Sequence, residues 1–345
     1  MNKWNMLKDK IYRKLHYLFW HKLHPGKWSL YLFAAYRHYQ FTKIKDSQNV
    51  QTQYLYLTQE PNRGAGIGHQ LGNWNAGFHY AKMFRINYAY SSFSSSEWDE
   101  FLGFGEGETA AEELLKKGYK KRWLPYFNER SQSDVEMIQN IIYSYSGQKV
   151  VFYTELDQFY TNQYEMMTDL SAKFNNATAR QKDKLIYKDD CINIAVHIRR
   201  GDIVIGQQNQ NAGLTKRWLT TAYYAQILKR IIKVLQECNK RYQIYIFSQG
   251  EQSDFPELSN IEHLTYCLDM PPRESFLHMV RADILITSKS SFSYKPALLS
   301  KGIRICPGEF WHGYPDKREW IIVDEEQGIT QDQINELHEL ILVNR

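Results

Sequence analysis

Two adjacent arginines, preceded by a histidine and followed by a glycine and an aspartate, form the densest reactive set in this chain: His197-Ile-Arg199-Arg200-Gly-Asp202. Paired guanidiniums are suited to bidentate recognition of phosphate or carboxylate. An Arg–Asp salt bridge closing a turn is the plainer use of the same residues. Their crowding straight after an apolar run favours a ligand site. A second set is Arg63-Gly-Ala-Gly66-Ile-Gly68-His69-Gln70-Leu-Gly72, where glycines allow backbone N–H groups to approach a ligand at a helix start. The third is Thr287-Ser-Lys-Ser290-Ser291-Phe292-Ser293, whose hydroxyls and N–H groups suit an anion. We read Ser293 as the helix cap, which puts Pro296 in the first helical turn, where proline is tolerated. Ser290 and Ser291 then lie in the preceding loop.

These sets need rigid elements behind them. Ile192, Ile194, Val196 and Ile198 alternate as a buried strand that ends at the arginines. In an open α/β sheet, ligands sit at the carboxyl ends of strands. Strands are expected over 191–198, 242–248, 261–265, 283–287, 303–306 and 320–323. Helices are expected over 218–238, 273–281, from about 293, and over 330–342. Leu219, Tyr223, Ile227, Ile231 and Leu235 fall on one helical stripe. This alternation predicts a doubly wound, mostly parallel sheet.

Upstream, Tyr54–Thr58 reads as a strand, followed by the glycine-rich turn and a helix to about Phe84. Residues 86–90 and 149–153 read as strands, 109–117 and 134–143 as helices, 162–184 as a polar helical stretch, and 93–108 as a surface loop. The glycine spacing departs from the dinucleotide fingerprint, and no acidic residue ends the next strand, so a nicotinamide dinucleotide is not expected. The domain reading is an arm over 1–48, an acceptor-side α/β domain over 49–185 and a nucleotide-sugar domain over 186–345.

The chain of 345 residues, 43% hydrophobic, is long enough for two cores, and no apolar run approaches the ~20 residues of a membrane span. It has no apolar secretory leader at its start. Cys191, Cys238, Cys267 and Cys306 are scattered without a CxxC pair, which predicts free thiols and a reducing compartment. The net charge of +5 is uneven: residues 1–45 carry ten basic residues and one acid, and the remainder 33 basic against 37 acidic. Within that arm Leu7, Ile11, Leu15 and Leu18 keep helical spacing among lysines and tryptophans. Such a segment fits an anionic membrane surface and equally a helix packed on the body. No nucleic-acid motif accompanies the charge, so nucleic acid is not an expected partner.

In order, the motifs are the G-x-G-H-Q turn, His-Ile-Arg-Arg-Gly-Asp, Ile-Phe-Ser248-Gln-Gly-Glu, and Ile-Thr-Ser-Lys-Ser-Ser-Phe-Ser. Together they resemble the superfamily of α-1,2, α-1,6 and protein O-fucosyltransferases, nearest in flavour to the bacterial α-1,2 group. The resemblance implies a GT-B-like fold of two Rossmann-like domains and inverting, metal-independent transfer of fucose from GDP-fucose to an oligosaccharide or glycolipid acceptor. It implies surface polysaccharide or lipopolysaccharide assembly in the cytoplasm, at the inner membrane face. It further implies that Arg199 and Arg200 hold the diphosphate, that His197, Asp202, Ser248, Ser290, Ser291 and Phe292 line the donor site, and that Glu274 and Ser275 lie near guanine. Gly66, Gly68, His69 and Gln70 would line the cleft. Another GDP-sugar as donor, or a non-catalytic glycan- or nucleotide-binding protein, remains an alternative. The chain departs from the pattern in reading Phe-Ser-Gln-Gly-Glu where relatives have a second pair of acids. It also has no carboxylate between Asp202 and Glu237. His69 is the candidate general base, since a histidine titrates near neutrality.

Overall fold

The computed structural model describes residues 27–42, 50–155, 160–201, 203–204 and 212–343, together with positions 11, 14, 15 and 18. Asp202 and most of the basic arm lie outside the described residues. Ile11, Leu15 and Leu18 are helical and exposed.

The chain divides into two compact units. In the first, β1 (Leu55–Gln59) pairs in parallel with β2 (Asn87–Tyr90) and β5 (Val150–Thr154). Outside them lie β3 (Thr109–Ala110) and β4 (Lys120–Trp123), giving the order β3-β2-β1-β5-β4. The helices of this part are α1 (Ala34–Phe41), α2 (Ile67–Met83), α3 (Ser96–Leu102), α4 (Ala111–Lys116) and α5 (Gln132–Tyr143). Helix α2 lies so close to β1 that a Cβ added at Gly77 would sit 2.5 Å from the Gln59 Cβ and 3.0 Å from its backbone nitrogen. Trp74 stacks on Phe78 at 5.1 Å, and Tyr88 meets both rings edge-on.

The second unit begins at Thr161 and also takes in Gly66–His69 and Glu97–Phe104. The sequence places its boundary at 185. The difference lies in helix α6 (Met167–Asn176), whose Ser171 hydroxyl donates to the Leu299 carbonyl and whose Asn175 accepts from Arg281. Strands β6 (Ile192–His197), β7 (Tyr242–Ser248), β8 (Leu264–Leu268), β9 (Ile284–Ile286), β10 (Ile303–Pro307) and β11 (Trp320–Val323) form one sheet of order β11-β10-β9-β6-β7-β8. Every pairing in it is parallel. The connecting helices are α7 (Thr221–Glu237), α8 (Pro272–Arg281), α9 (Ser291–Leu299) and α10 (Gln331–Val343). All five residues of the predicted stripe on α7 are buried, and Ile227, Ile231 and Leu235 pack on Ile194, Val196, Ile244 and Ile246. The α/β class with parallel sheets agrees with expectation, and the four cysteines are free.

Several elements differ from the sequence reading. β8 starts three residues late, because Ile261 caps a turn rather than entering the sheet: its N–H donates to Leu258. β4 was not anticipated, since Lys-Lys-Arg-Trp has no apolar alternation. It is an edge strand whose Lys121 lies over the Tyr153 and Trp123 rings. The expected loop over 93–108 holds α3, anchored by Trp98 against Phe276 at 5.7 Å and by an Arg273–Glu97 ion pair at 3.0 Å.

Glycine to alanine inside a helix ordinarily stabilises by up to ~1 kcal/mol. At Gly77 the new methyl must displace backbone, and overpacking costs about 1–3 kcal/mol. Gly77→Ala is therefore expected to lower the urea unfolding midpoint; a raised midpoint would show that α2 does not lie this close to β1.

Candidate functional site

The second sheet has a topological switch beside β6. From β6 the chain proceeds through α7 to β7 on one side, whereas β9 lies on the other. Loops leaving the carboxyl ends of β6 and β9 therefore part company there, and ligands bind where such loops diverge. The two sequence motifs that end these strands, at 197–201 and 287–293, are brought together.

His197 is the last residue of β6, and its Nδ1 is 2.8 Å from the Ser288 hydroxyl in the loop after β9. It is buried, with the Phe292 ring 5.5 Å away. Burial, reinforced by the Arg199 charge, lowers its pKa to about 3, so the imidazole is neutral at physiological pH. Ser288 is held in turn by Ser293, whose hydroxyl accepts from the Ser288 N–H at 3.2 Å.

Arg199 Nη1 donates to Ser290 Oγ at 3.4 Å. Ser290 is the N-cap of α9: its hydroxyl accepts from the Phe292 N–H at 3.2 Å. This corrects the cap expected at Ser293. Pro296 consequently falls inside the helix, and the Ser293 hydroxyl turns back to the loop rather than capping. Ser291 and Phe292 are the first residues of α9.

Arg200 takes a different path. Its Nη2 forms a 3.0 Å ion pair with Asp254 Oδ1, and its guanidinium lies 5.2 Å from the Phe255 ring centroid. Asp254 also accepts from the Glu251 N–H at 2.9 Å, closing a reciprocal capping box over 251–254. The arginine pair therefore divides: Arg199 reaches Ser290, and Arg200 braces the loop after β7. Both loops need left-handed backbone, supplied by Gly201 (φ 57°) and Gly250 (φ 106°). Asp254 was missed in the sequence reading. The Glu251-x-x-Asp254 spacing of a capping box was the available signal.

The glycine-rich turn is shorter than expected. Helix α2 already begins at Ile67, so Gly68, His69, Gln70 and Gly72 are helical. A Cβ on Gly68 would lie 2.7 Å from the Ser291 carbonyl carbon and 2.8 Å from the Phe292 nitrogen. The starts of α2 and α9 are thus in backbone contact, and each helix start carries a partial positive charge. Gly66 has open space around it, with nothing within 4 Å of a Cβ. His69 is exposed, near enough to His312 for its charge to depress that buried ring's pKa.

Gln70 does not line a site. Its amide donates to the Ala65 carbonyl at 2.8 Å and to Ser94 Oγ at 2.7 Å, and its carbonyl accepts from the Ser94 N–H. Every polar group of a buried side chain is thereby used to fix the turn. Ser248 and Ser275 likewise donate to backbone carbonyls, of Ile198 at 2.7 Å and Met270 at 3.2 Å. Glu274 is exposed in the first turn of α8, and its carbonyl accepts from His278 Nδ1 at 2.7 Å.

No protein-family model matches the sequence, and no protein of curated function matches it either. Among solved structures, POFUT1 in complex with GDP is similar at 12% identity, over 73% of this chain and 98% of that one, with a TM-score of 0.43. NodZ alpha-1,6-fucosyltransferase soaked with GDP-fucose is similar at 10% identity, over 72% and 93% of the two chains, with a TM-score of 0.39. The E. coli heptosyltransferase WaaC with ADP is similar at 9% identity, over 84% and 100%, with a TM-score of 0.41.

Two predictions follow from this geometry. Gly68→Ala forces the starts of α2 and α9 apart, so it is expected to abolish binding of GDP measured by calorimetry, while Gly66→Ala leaves it unchanged. Equal affinity in the two variants would refute the contact. The second concerns acid. The unfolded His197 titrates near 6.5 and the folded one near 3, so below pH 6.5 the unfolded chain binds the extra proton and stability is lost as pH falls. By about pH 4.5 the loss from this residue is on the order of 2–3 kcal/mol. A His197→Asn variant should show a flatter fall in melting temperature between pH 7 and 4.5; an unaltered slope would show that His197 is not held neutral.

Proposed function

We propose that this chain is a GT-B-type glycosyltransferase that moves a sugar from a GDP-sugar, fucose in the first instance, to a glycan acceptor. The observation that carries the reading is the meeting of three positive groups at the switch beside β6. They are the starts of α2 and α9, in contact through Gly68, and the Arg199 guanidinium at Ser290. Such a cradle suits a diphosphate. The order of motifs supplies the nucleotide-sugar identity, since the His-x-Arg-Arg-Gly-Asp and Ser-Ser-Phe-Ser turns are those of the fucosyltransferase superfamily.

In this mechanism the glycosidic bond between the sugar and the β-phosphate breaks as the acceptor hydroxyl attacks from the opposite face, inverting the anomeric carbon. Negative charge grows on the departing GDP, and donors already aimed at it stabilise the transition state more than the ground state. Arg199 and the N–H groups of Ser291 and Phe292 do this work, so the reaction is metal-independent. Neutral His197 holds the Ser288–Ser290 loop. Arg200 keeps the neighbouring loop closed through Asp254 and is assigned to bracing, with Arg199 as the catalytic cation. His69, exposed at the start of α2, is the candidate to accept the acceptor's proton. Asp202 keeps its expected role as a support of the arginine loop.

The acceptor is assigned to surface polysaccharide or lipopolysaccharide assembly at the cytoplasmic face of a membrane. Among the described residues no helix is long and apolar enough to cross one. The exposed Ile11, Leu15 and Leu18 support peripheral contact.

The test is nucleotide release from GDP-fucose, GDP-mannose and UDP-sugars by the purified chain. GDP release from GDP-fucose is expected. Release from another donor alone would overturn the fucose assignment, and GDP binding without release from any donor would favour a binding protein. Arg199→Ala should weaken GDP binding roughly ten- to a hundredfold, as expected for one charge-assisted hydrogen-bonding group. Wild-type affinity and turnover in that variant would remove Arg199 from the site.

A further inference from the structure

Beside the Ser290 turn lies a concave site that the donor reading does not use. It is a cavity of about 500 Å³, formed by Lys216 and Arg217 from the segment before α7, Lys289 from the end of β9, and Glu309, Phe310 and Trp311 from the end of β10. That volume is within the ~300–1,000 Å³ of small-molecule clefts. All of these residues belong to the second unit.

Its chemistry is specific. Trp311 is 45% exposed, an unusual state for so large an apolar ring, and is backed by Phe310 at a centroid distance of 4.1 Å. The Arg217 guanidinium lies 4.8 Å from the Trp311 ring centroid. Lys289 is buried and ion-paired to Glu325, with Glu309 Oε2 at 3.9 Å, so its charge is matched locally. Lys216 and Arg217 carry the positive character of the opening. A flat indole offers apolar area to the C–H face of a sugar ring. A guanidinium held over that same indole is placed to form a forked pair with a carboxylate.

We propose that this cavity binds a sugar bearing a carboxylate, and that it is the acceptor subsite. The saccharide class rests on the glycosyltransferase reading above; the demand for negative charge rests on Lys216 and Arg217. Lys289 adjoins Ser290 in the chain, so a sugar seated here lies next to the turn assigned to the leaving diphosphate. The body of the protein outside its basic arm has more acidic than basic residues, so general attraction of anions to the surface does not account for a preference at this site.

The test is calorimetric titration of the full chain with cellobiouronic acid and with cellobiose, which differ in one carboxylate. The acid is expected to bind at least about tenfold more tightly, the scale of one good charged hydrogen-bonding contact. Lys216→Gln with Arg217→Gln should remove that preference, and Trp311→Ala should weaken both sugars. Retained GDP binding in these variants shows that the fold and the nucleotide site are intact. Lys216→Gln alone, at an exposed position, gives a partial loss if the double variant does not fold. Equal affinity for the two sugars, no measurable binding of either, or an undiminished preference in the variants overturns the proposal. If wild-type protein fails to bind GDP, the donor reading falls, and the sugar titrations still decide this site by themselves.

Discussion

A single missing methyl group sets the geometry of the candidate site. The start of α2 and the start of α9 approach so closely at Gly68 that any side chain there would collide with the Ser291–Phe292 peptide. Helix starts repel one another electrostatically, because each presents unpaired N–H groups and a partial positive charge. Holding two of them in contact is unfavourable unless an anion fills the space or the surrounding packing enforces it. Here the packing is considerable: β6 and β9 are adjacent and fully buried, and the loop after β9 is fixed by the His197–Ser288–Ser293 chain of hydrogen bonds. The stability of the sheet thus maintains a site that is electrostatically poised for an anion.

The second constraint is how positive charge is distributed. A protonated His197 would add a third cation beside Arg199, yet burial keeps the ring neutral. Neutrality matters for the hydrogen bond as well, since a neutral imidazole can accept from Ser288 and leave that loop undistorted. Arg200 is neutralised by Asp254 and shielded against Phe255. The effect is to concentrate unmatched positive potential where Arg199 meets Ser290. Two adjacent arginines of identical chemistry acquire different roles because the loop after β7 supplies a carboxylate to one of them.

The fold was more legible in the sequence than the site. The strands of the second sheet were marked by Ile, Val and Tyr runs, and β7 and β11 fall at the expected residues. The α7 stripe read correctly because a 3.6-residue period over 17 residues leaves little ambiguity. What failed were decisions that depend on a partner distant in the chain. Pro296 argued for a helix beginning at Ser293, whereas the Arg199 and His197 contacts hold Ser290 as the cap. Gln70 looked like a ligand group because its buried partner, Ser94, lies beyond the end of its helix in a stretch with no regular pattern. The Arg200–Asp254 pair spans 54 residues and leaves no local trace on the arginine side. Residue types announced that an anion site existed, but only the tertiary contacts show which groups complete it.

The charge count bears on how such a site can turn over. One guanidinium and two helix starts of about half a charge each present roughly two positive charges. A departing nucleoside diphosphate carries about three negative ones. The cradle therefore favours the developing charge without neutralising the product completely, and what remains helps GDP to leave. An additional committed cation, whether His197 as imidazolium or Arg200 freed from Asp254, would tighten the ground-state product complex as much as the transition state. Uniform binding of that kind lowers KM without raising kcat. On the proposed reading, the buried neutral histidine and the Arg200–Asp254 pair serve turnover by keeping further charge away from the leaving group.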